Sequence, residues 1–255
     1  MTHRSPHGET AAVHTAPRRA LVMAGGTGGH IFPGLAVAQA LRERGWSVSW
    51  LGGKGSATRP TMESQLVPRQ GFSFEGLDFS GVRGKGVLTL AVLPLRLLRA
   101  FWQSLRVIRK IKPDVVVSMG GYIAFPGGMM GVLCGKPLVV HEPGAHAGLT
   151  NRVLALIADR VLVGFPKTFE QIPKNALAKL LPKPKRVEWL GTPVRSDIAS
   201  LPEPTTRLAG RVGQVRLLIV GGILAGRQRI AAGPANRPAG WCRGDPRRHQ
   251  SPLHA

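Results

Sequence analysis

The stretch LVMAGGTGGHIFPGLAVAQALRERGW, Leu21–Trp46, decides the fold class of this 255-residue chain. A short apolar run leads into glycines on both sides of Thr27, and the amphipathic stretch that follows predicts a helix over Gly34–Arg44, opened by Pro33. A strand, a glycine-rich turn and a helix in this order are typical of the first unit of a Rossmann-like fold. Because the first N–H groups of such a helix are unpaired, they can bind an anion. The stretch therefore predicts a Rossmann-like domain with a phosphate-binding turn.

The rest of the chain alternates short apolar runs with longer amphipathic stretches. The runs predict buried strands at Ala20–Ala24, Ser47–Leu51, Val115–Ser118, Pro137–Val140, Arg160–Val163, Val187–Leu190 and Leu217–Val220. The stretches predict helices at Gly34–Arg44, Thr61–Gln70, Leu88–Lys112, Ala124–Cys134 and Leu149–Ala158. Strands that alternate with helices predict an α/β protein with a doubly wound parallel sheet. Such sheets bind ligands at the carboxyl ends of their strands.

Glycine pairs end three of the predicted strands and indicate two Rossmann-like units. Residues 1–19 are expected to form a disordered leader, and residues 20–195 a complete N-terminal domain. Residues 196–222 are expected to hold the linker and the first strand of a second domain that is otherwise mostly missing. Residues 223–255 are an aberrant basic tail, without helical or strand period. This tail fits either a solvated basic segment or a shift of the reading frame near Gly222–Gln228.

The charge balance indicates an anionic partner. The chain has 35 Lys and Arg against 13 Asp and Glu, a net charge of +22. Nucleic acid, a phosphorylated metabolite and anionic lipid all fit this charge, but an aromatic content of 5% counts against a stacking platform for single-stranded nucleic acid. The 2 cysteines exclude a disulfide scaffold. No run approaches the roughly 20 apolar residues of a spanning helix, and the N-terminus lacks the apolar core of a secretory signal, so a cytosolic protein is expected.

The glycine turn differs from two common nucleotide sites. No Gly-Lys-Ser/Thr follows it, so it is not a Walker loop. The strand Ser47–Leu51 is followed by Gly52-Gly53-Lys54, without the acidic residue that binds a ribose in NAD enzymes, which disfavours an oxidoreductase. A glycine-rich turn without any ligand is the alternative to a phosphate-binding turn.

Polar side chains near the predicted strand ends could carry chemistry. The helix dipole disfavours the charged form of His30, so a neutral His30 could accept a proton from a substrate hydroxyl, although a capping histidine fits equally well. His141-Glu142 and Gly120-Gly121-Tyr122 follow neighbouring strands and are expected to face one crevice, with a solvated loop pair as the alternative for the former. Arg195 could meet a pyrophosphate or a sugar hydroxyl, or could be an ordinary surface arginine.

The segment Phe79–Pro113 contains no acidic residue. Basic, apolar and aromatic side chains are interleaved along it, and those expected at a membrane are Leu97, Leu98, Phe101, Trp102, Arg99 and Arg106. A cationic helix with aromatic residues on its apolar side is typical of the surface of an anionic bilayer. A core-packing helix with a solvated basic face fits the same pattern. Nucleic acid is a third alternative, without a supporting motif.

The order of the motifs resembles the MurG family of bacterial glycosyltransferases. The matching stretches are LVMAGGTGGHIFPGLAVAQALRERGW, FSGVRGKG, KPDVVVSMGGYIAFPGG, VVHE, AGLTNR, GTPVR and RLLIVGG, from about Ala20 to Gly222. The resemblance implies a two-domain fold of the GT-B type, whose N-terminal domain binds the acceptor and the membrane. It implies an inverting transfer of N-acetylglucosamine from UDP-N-acetylglucosamine (UDP-GlcNAc) to undecaprenyl-linked lipid I, which forms lipid II in peptidoglycan synthesis. It also implies a peripheral protein on the cytoplasmic face of the inner membrane, with an anionic membrane surface as partner, no nucleic acid, no metal and no obligatory cofactor.

The same resemblance assigns roles to individual residues. It makes His30 the catalytic base, places Thr27, Gly28, Gly29 and Arg195 on the donor side, and places Gly120, Gly121, Tyr122, His141 and Glu142 on the acceptor side. The chain departs from the family pattern at Pro143-Gly144, Thr192 and Ile223, where the family has Gln-Asn, Asn and Ser. Because most of the donor-binding domain is missing, this chain is expected to be inactive. The alternative is a non-catalytic, membrane-associated module that binds lipid I.

Overall fold

The structure, a computed structural model, describes residues 16–79, 92–172, 179–184 and 186–211. The described residues as far as Ala209 belong to one unit. In chain order its elements are β1 (Arg19–Ala24), α1 (Gly28–Glu43), β2 (Ser47–Gly53), β3 (Gly55–Ser56), β4 (Arg59–Pro60), α2 (Met62–Arg69), β5 (Ser73–Leu77), α3 (Leu93–Ile111), β6 (Val115–Gly120), α4 (Ala124–Leu133), β7 (Leu138–Glu142), α5 (Leu149–Leu154), β8 (Arg160–Val163), β9 (Glu188–Trp189), α6 (Ser196–Ala199) and α7 (Pro204–Leu208).

Seven strands form one parallel sheet in the order β5-β2-β1-β6-β7-β8-β9. The chain winds outward from β1 to β5 on one side, then returns to β6 and winds outward on the other. The strand order therefore reverses between β1 and β6, and open sheets of this kind bind ligands at the carboxyl edge of that point. The predicted doubly wound α/β fold is confirmed. A two-stranded antiparallel ribbon, β3 with β4, follows β2.

The sheet is covered by helices on both faces, as the apolar character of β1 requires. Leu21 and Met23 pack in one core with residues of α3, α4 and α5, whereas Val22 and Ala24 pack in a second core with residues of α1 and α2. All four side chains are completely buried. A strand buried on both faces lacks polar alternation, which is why β1 appears in the sequence as an uninterrupted apolar run.

The predicted start of the first helix is wrong. Helix α1 begins at Gly28 after an extended Thr27, and Pro33 lies inside it instead of opening it. The glycines adopt helical geometry because Ile31 is completely buried in the second core, which draws the preceding turn into the helix. His141 and Glu142 are likewise the last residues of β7, not the residues that follow it.

Several predicted boundaries need other corrections. The segment SFEGL forms the edge strand β5, which the sequence analysis missed because glutamate and glycine interrupt its apolar pattern. Helix α5 ends at Leu154, four residues before the predicted end. Helix α3 is described from Leu93 onward, so its predicted start at Leu88 lies outside the described residues.

Parts of the predicted domain organisation also lie outside the described residues. These are residues 1–15 of the leader, the strand Leu217–Val220 and the tail 223–255. Of the predicted linker, residues 196–211 are described, and they include the short exposed helices α6 and α7. The domain boundaries stay a prediction.

Candidate active site

Two glycine turns meet where the strand order reverses. One follows β1 and contains Gly25 and Gly26, and the other, Gly120-Gly121, joins β6 to α4. Gly121 has a φ of +90° and lies so close to Gly25 that any side-chain carbon on Gly121 would overlap the Gly25 carbonyl oxygen. Only glycine accommodates both the left-handed backbone and this close approach. The structure therefore brings together the two glycine pairs that the sequence analysis selected.

The start of α1 offers an open anion site. The N-cap residue Thr27 is extended and its side chain does not cap the helix. Thr27 and Gly29 are exposed, and Gly28 is partly exposed. The first N–H groups of a helix have no intrahelical acceptor and carry the positive end of the helix dipole. A phosphate could therefore bind at this turn, as the sequence predicts.

His30 is the third residue of α1 and is partly buried beside this turn. Its Nδ1 lies 3.0 Å from Thr27 Oγ1. Its Nε2 lies over Gly120, because a side-chain carbon added to that glycine would be 3.0 Å from Nε2. Burial lowers the pKa of His30, while the negative charge of Glu142 opposes this shift. A neutral imidazole is thus favoured near pH 7. If Nδ1 carries the hydrogen and donates it to Thr27, Nε2 keeps a free lone pair that can accept a proton.

A buried polar network lies beneath His30, and we call it the cleft network: the side chains of Ser118, Glu142 and Asn151. The Glu142 carboxylate accepts hydrogen bonds from the N–H groups of Gly144 and Gly148 at 3.0 and 3.1 Å and from Asn151 Nδ2 at 3.0 Å. Ser118 Oγ donates to Asn151 Oδ1 at 3.2 Å. Because all three residues are at most 3% exposed, the network fixes the loop after β7 from below.

His141 joins the end of β7 to the segment that carries Arg195. It is buried, its Nε2 lies 3.0 Å from the Gly191 carbonyl oxygen, and its Nδ1 has no hydrogen-bond partner among the described residues. Burial lowers the pKa of His141, against the opposing effects of the Gly191 hydrogen bond and of Glu142. A neutral His141 therefore donates from Nε2 to Gly191. Thr192 Oγ1 adds a second link by donating to the Pro143 carbonyl oxygen at 3.3 Å.

The remaining predicted cleft residues differ in exposure. Tyr122 is partly buried, and its ring lies against the glycine turn, where a side-chain carbon on Gly26 would be 3.2 Å from Cε1. The Arg195 guanidinium lies 5.5 Å from the centre of the Phe32 ring and 3.2 Å from Asp197 Oδ2. Between Phe32 and the Arg195 segment lies an apolar cavity of about 350 Å³. The structure thus places all the predicted donor and acceptor residues at one edge of the sheet, but their roles stay predictions.

Helix α3 has one buried and one exposed face. Its buried side chains are Ala100, Ser104, Val107 and Ile108. The exposed side, which we call the outer face of α3, comprises Leu95, Leu98, Arg99, Trp102 and Arg106. Leu95, Leu98 and Trp102 are 71%, 66% and 54% exposed, and the Arg106 guanidinium lies 4.0 Å from the centre of the Trp102 ring.

Not every predicted membrane residue belongs to this face. Leu97 and Phe101 are half-buried, and the Phe101 ring packs against Phe125 with 5.7 Å between ring centres. Leu98, Arg99, Trp102 and Arg106 are exposed as the membrane prediction requires. Leu95 is the exposed residue that the sequence analysis missed, although its spacing of three and seven residues from Leu98 and Trp102 is the helical signal that could have identified it.

Within the described ranges, no group of three or more His, Cys, Asp or Glu side chains is arranged to hold a metal ion. No helix in this part of the chain is both long and apolar enough to cross a bilayer. Two further side chains at the cleft, Glu63 and Asn151, are each 1% exposed and were not predicted as site residues from the sequence. Each lies in the first turns of a predicted helix, where a polar residue is common and indicates nothing special.

The fold and the site together define a Rossmann-like domain with a glycine-rich turn and a partly buried histidine at the point where the strand order reverses. Residues 20–163 match the N-terminal domain of glycosyltransferase family 28. The chain belongs to glycosyltransferase family 28.

Curated relatives extend this similarity. The chain is 59% identical over 221 residues to a protein of Polaromonas sp. strain JS666, and 63% identical over 207 residues to one of Polaromonas naphthalenivorans strain CJ2. Both are named UDP-N-acetylglucosamine–N-acetylmuramyl-(pentapeptide) pyrophosphoryl-undecaprenol N-acetylglucosamine transferase. The matches cover 85% and 81% of this chain but 53% of each relative. The chain thus spans about half the length of the curated relatives it matches.

One solved structure supports the same relation. The crystal structure of MurG from Acinetobacter baumannii is 33% identical, has a TM-score of 0.58, and matches over 78% of this chain and 50% of the MurG chain. The resemblance to the MurG family and the Rossmann-like N-terminal domain that it implied are confirmed.

Proposed function

We propose that this chain supplies the acceptor-binding lobe of a MurG-type transferase, which moves N-acetylglucosamine from UDP-GlcNAc to undecaprenyl-linked lipid I and so forms lipid II. The observation that carries this proposal is the open start of α1 beside a neutral His30, at the reversal point of the sheet. The names of the Polaromonas relatives describe this transfer. The proposal treats UDP-GlcNAc as a substrate and gives no step to a metal or cofactor.

The proposed reaction is a single displacement with inversion at the sugar. His30 Nε2 accepts the proton of the acceptor hydroxyl, and the hydroxyl oxygen forms a bond to the anomeric carbon of the donor. The bond from that carbon to the UDP oxygen breaks, and UDP leaves with the electron pair. The start of α1 is proposed to lie between the donor sugar and the acceptor pyrophosphate, so that the N–H groups at Gly28 and Gly29 bind an oxygen of that pyrophosphate, while Arg195 contributes positive charge on the donor side.

The acceptor side is proposed to consist of the turn Gly120-Gly121-Tyr122 and the end of β7. Because the polar atoms of His141 and Glu142 bond to the protein itself, we assign them to the shape of the acceptor cleft. Gly144 stands where the family has an asparagine that contacts the donor sugar, and its N–H bonds to Glu142 Oε1 at 3.0 Å. The loop therefore keeps its anchor through the backbone, without the asparagine side chain.

The donor half of the site is not assigned to any described residue beyond Thr27, Gly28, Gly29 and Arg195. We therefore propose that the 255 residues by themselves bind acceptor but do not turn it over, because the contacts to the nucleotide are needed for catalysis. An assay with radiolabelled UDP-GlcNAc and a lipid I analogue tests this. Turnover above background by the 255-residue chain would refute it.

Acceptor binding has its own test, through a fluorescent lipid I analogue and a matched pair of variants at one position. Gly29 is exposed and has only Thr27 Oγ1, at 3.8 Å, near the place of a side chain. Gly29→Asp puts a negative charge at the start of α1 and should weaken binding about 10-fold, which corresponds to about 1.4 kcal/mol. Gly29→Ser is the neutral control and should stay within about 3-fold of the wild type. Equal affinity of the two variants, or no saturable binding by the wild type, would contradict the acceptor proposal.

A second candidate function is supported by the outer face of α3, which exposes Leu95, Leu98 and Trp102 beside Arg106. Under this alternative the chain is a non-catalytic, membrane-associated module that holds lipid I. Both functions place the protein at the cytoplasmic face of the inner membrane, bound peripherally to anionic lipid. Co-sedimentation with anionic vesicles at low salt should show this binding, and neutral vesicles should retain much less protein. Failure to sediment with anionic vesicles at low salt would exclude both membrane assignments.

A further inference from the structure

Glu63 lies in the first turn of α2 and is 1% exposed, at the carboxyl ends of β1 and β2. Its Oε1 accepts a hydrogen bond of 3.1 Å from the Gly53 N–H. A side-chain carbon on Gly25 would lie 2.6 Å from the same oxygen. Glu63 therefore supports both the end of β2 and the first residue of the phosphate-binding turn.

The two carboxylate oxygens of Glu63 differ in their hydrogen bonding. Oε2 is buried and has no hydrogen-bond partner among the described residues. A buried polar atom without a partner costs free energy, so such atoms are rare unless they serve a purpose. The other oxygen, Oε1, lies near the Tyr122 hydroxyl at Gly53: a side-chain carbon on this glycine would lie 3.1 Å from Glu63 Oε1 and 2.7 Å from the Tyr122 hydroxyl oxygen. The carboxyl group and the Tyr122 hydroxyl therefore converge on one glycine.

Tyr122 connects this pair to the ligand site. Its ring lies under Gly26 of the phosphate-binding turn, with the Phe79 ring centre 6.0 Å away. Burial raises the pKa of Tyr122, and the charge of Glu63 raises it further. The other charged side chains described at the ends of β2 and β5, Lys54 and Asp78, are exposed. Glu63 is thus the buried charge that faces Tyr122.

We propose that Glu63 is a positioning residue of the phosphate-binding turn: its carboxyl group anchors Gly53, supports Gly25 and orients the Tyr122 hydroxyl, so that the Tyr122 ring stays under Gly26. The proposal rests on the proposed function for the identity of the ligand at the turn. Its structural part does not, because it concerns contacts within the chain.

The chain contains 1 tyrosine, so the Tyr122 hydroxyl can be followed without interference. Tyrosinate absorbance and the resonance of a ¹³Cζ label both report on it. The experiment compares the wild type with Glu63→Gln, which keeps an oxygen for the Gly53 N–H but removes the charge. Glu43→Gln is the matched control, since Glu43 is an exposed glutamate at the end of α1. In the wild type we expect the pKa of Tyr122 to lie above that of a tyrosine peptide. In Glu63→Gln the pKa of Tyr122 should be lower than in the wild type, and in Glu43→Gln it should equal the wild-type pKa.

Two outcomes would overturn the proposal. The first is an equal pKa of Tyr122 in folded Glu63→Gln and in the wild type. The second is a pKa of Tyr122 in the wild type that equals the pKa of the tyrosine peptide. The second outcome needs no variant, so the test holds even if Glu63→Gln does not fold. The ¹³Cζ shift at neutral pH should also differ between the wild type and Glu63→Gln. None of these measurements uses donor or acceptor. Failure of the proposed transfer would therefore leave the result for Glu63 and Tyr122 unchanged, and failure of the Glu63 proposal would not decide whether the transfer occurs.

Discussion

The cleft edge of the sheet and the outer face of α3 depart from the usual pattern of burial in opposite ways. At the cleft, polar side chains are buried: Glu142 and Asn151 are 3% and 1% exposed. On α3, apolar side chains are exposed: Leu95 is 71% exposed and Trp102 54%. A buried polar group and an exposed apolar cluster are the informative exceptions in a folded protein.

The two regions differ in how they are connected to the fold. The cleft network bonds to the backbone of the loop after β7, so a change there should cost stability together with function. The outer face of α3 consists of exposed side chains. Its Arg99 pairs with Asp78, but the two side chains are 64% and 42% exposed, so the pair contributes little to stability. A change there should cost membrane binding and leave stability intact.

The largest expected effect is that of Glu142→Ala. The substitution removes a buried carboxylate that accepts hydrogen bonds from the buried Asn151 amide and from the N–H groups of Gly144 and Gly148, and we expect the free energy of unfolding to fall by about 4 kcal/mol. Urea denaturation followed by circular dichroism measures this loss. Glu43→Ala, at an exposed position, should change the free energy of unfolding by less than about 0.5 kcal/mol. Similar losses in the two variants would mean that the cleft network does not stabilise the fold.

The second largest effect is expected for Gly121→Ala, which should lower the free energy of unfolding by about 3 kcal/mol. Alanine at this position combines a φ of +90° with an overlap against the Gly25 carbonyl oxygen. Gly45→Ala separates the two causes, because Gly45 has a φ of +81° and no atom within 4 Å of a side-chain carbon. It should cost only the backbone strain, about 1 kcal/mol. If Gly121→Ala and Gly45→Ala lower the free energy of unfolding equally, the close approach of the two glycine turns does not contribute to the cost of the Gly121 substitution.

Trp102→Ala should weaken binding to anionic vesicles about 10-fold, because a largely exposed aromatic ring no longer enters the interface. The free energy of unfolding should stay within about 0.5 kcal/mol of the wild type. Vesicle co-sedimentation and urea denaturation measure the two quantities on the same preparation. Leu133→Ala is the control, since Leu133 is 70% exposed at the end of α4 and lies outside the outer face of α3. An equal loss of vesicle binding in Leu133→Ala would argue against a specific membrane face.

The smallest expected effect is a pH dependence of stability that comes from His141. Burial lowers the pKa of His141 in the folded state, so the unfolded chain binds more protons between that pKa and the ordinary value of about 6.5. The contribution of His141 to stability is therefore complete above about pH 6.5 and is lost as the pH falls through the folded-state pKa.

Urea denaturation at two pH values, one above and one below 6.5, tests this sign. The wild type should lose stability at the lower pH, and His141→Gln, whose amide can still donate to the Gly191 carbonyl oxygen, should lose less. His146→Gln at the exposed His146 should keep the wild-type difference. The prediction fails if His141→Gln keeps the full pH dependence, or if stability rises on acidification.

Much of the fold could be predicted because its signals are local. Strand β1 is buried on both faces and therefore appears as an apolar run, and the glycines around Thr27 indicate a turn whatever the rest of the chain does. Strand β5 was missed because an edge strand with glutamate and glycine has no clear period. The start of α1 was misplaced because the burial of Ile31, a tertiary effect, outweighs the usual position of a proline at a helix start.

In the candidate site, too, some residues have a local sequence signal and others are brought there only by tertiary packing. Thr27, His30 and the glycines were identified from the sequence because a strand followed by a glycine turn indicates an anion site by itself. Glu63 and Asn151 were not identified, since each is an ordinary polar residue in its local sequence. They meet the glycine turns only through the packing of α2 and α5 against the sheet.

The sequence by itself determined the class of fold and the position of the glycine turn, because periodicity and glycine spacing are properties of neighbouring residues. The order of its motifs carried the resemblance to a glycosyltransferase family. Only the tertiary structure decided which polar groups are buried together and which side of α3 remains exposed. Both depend on distances between segments that are far apart in the chain, such as Glu63 and Tyr122, and no local pattern encodes those distances.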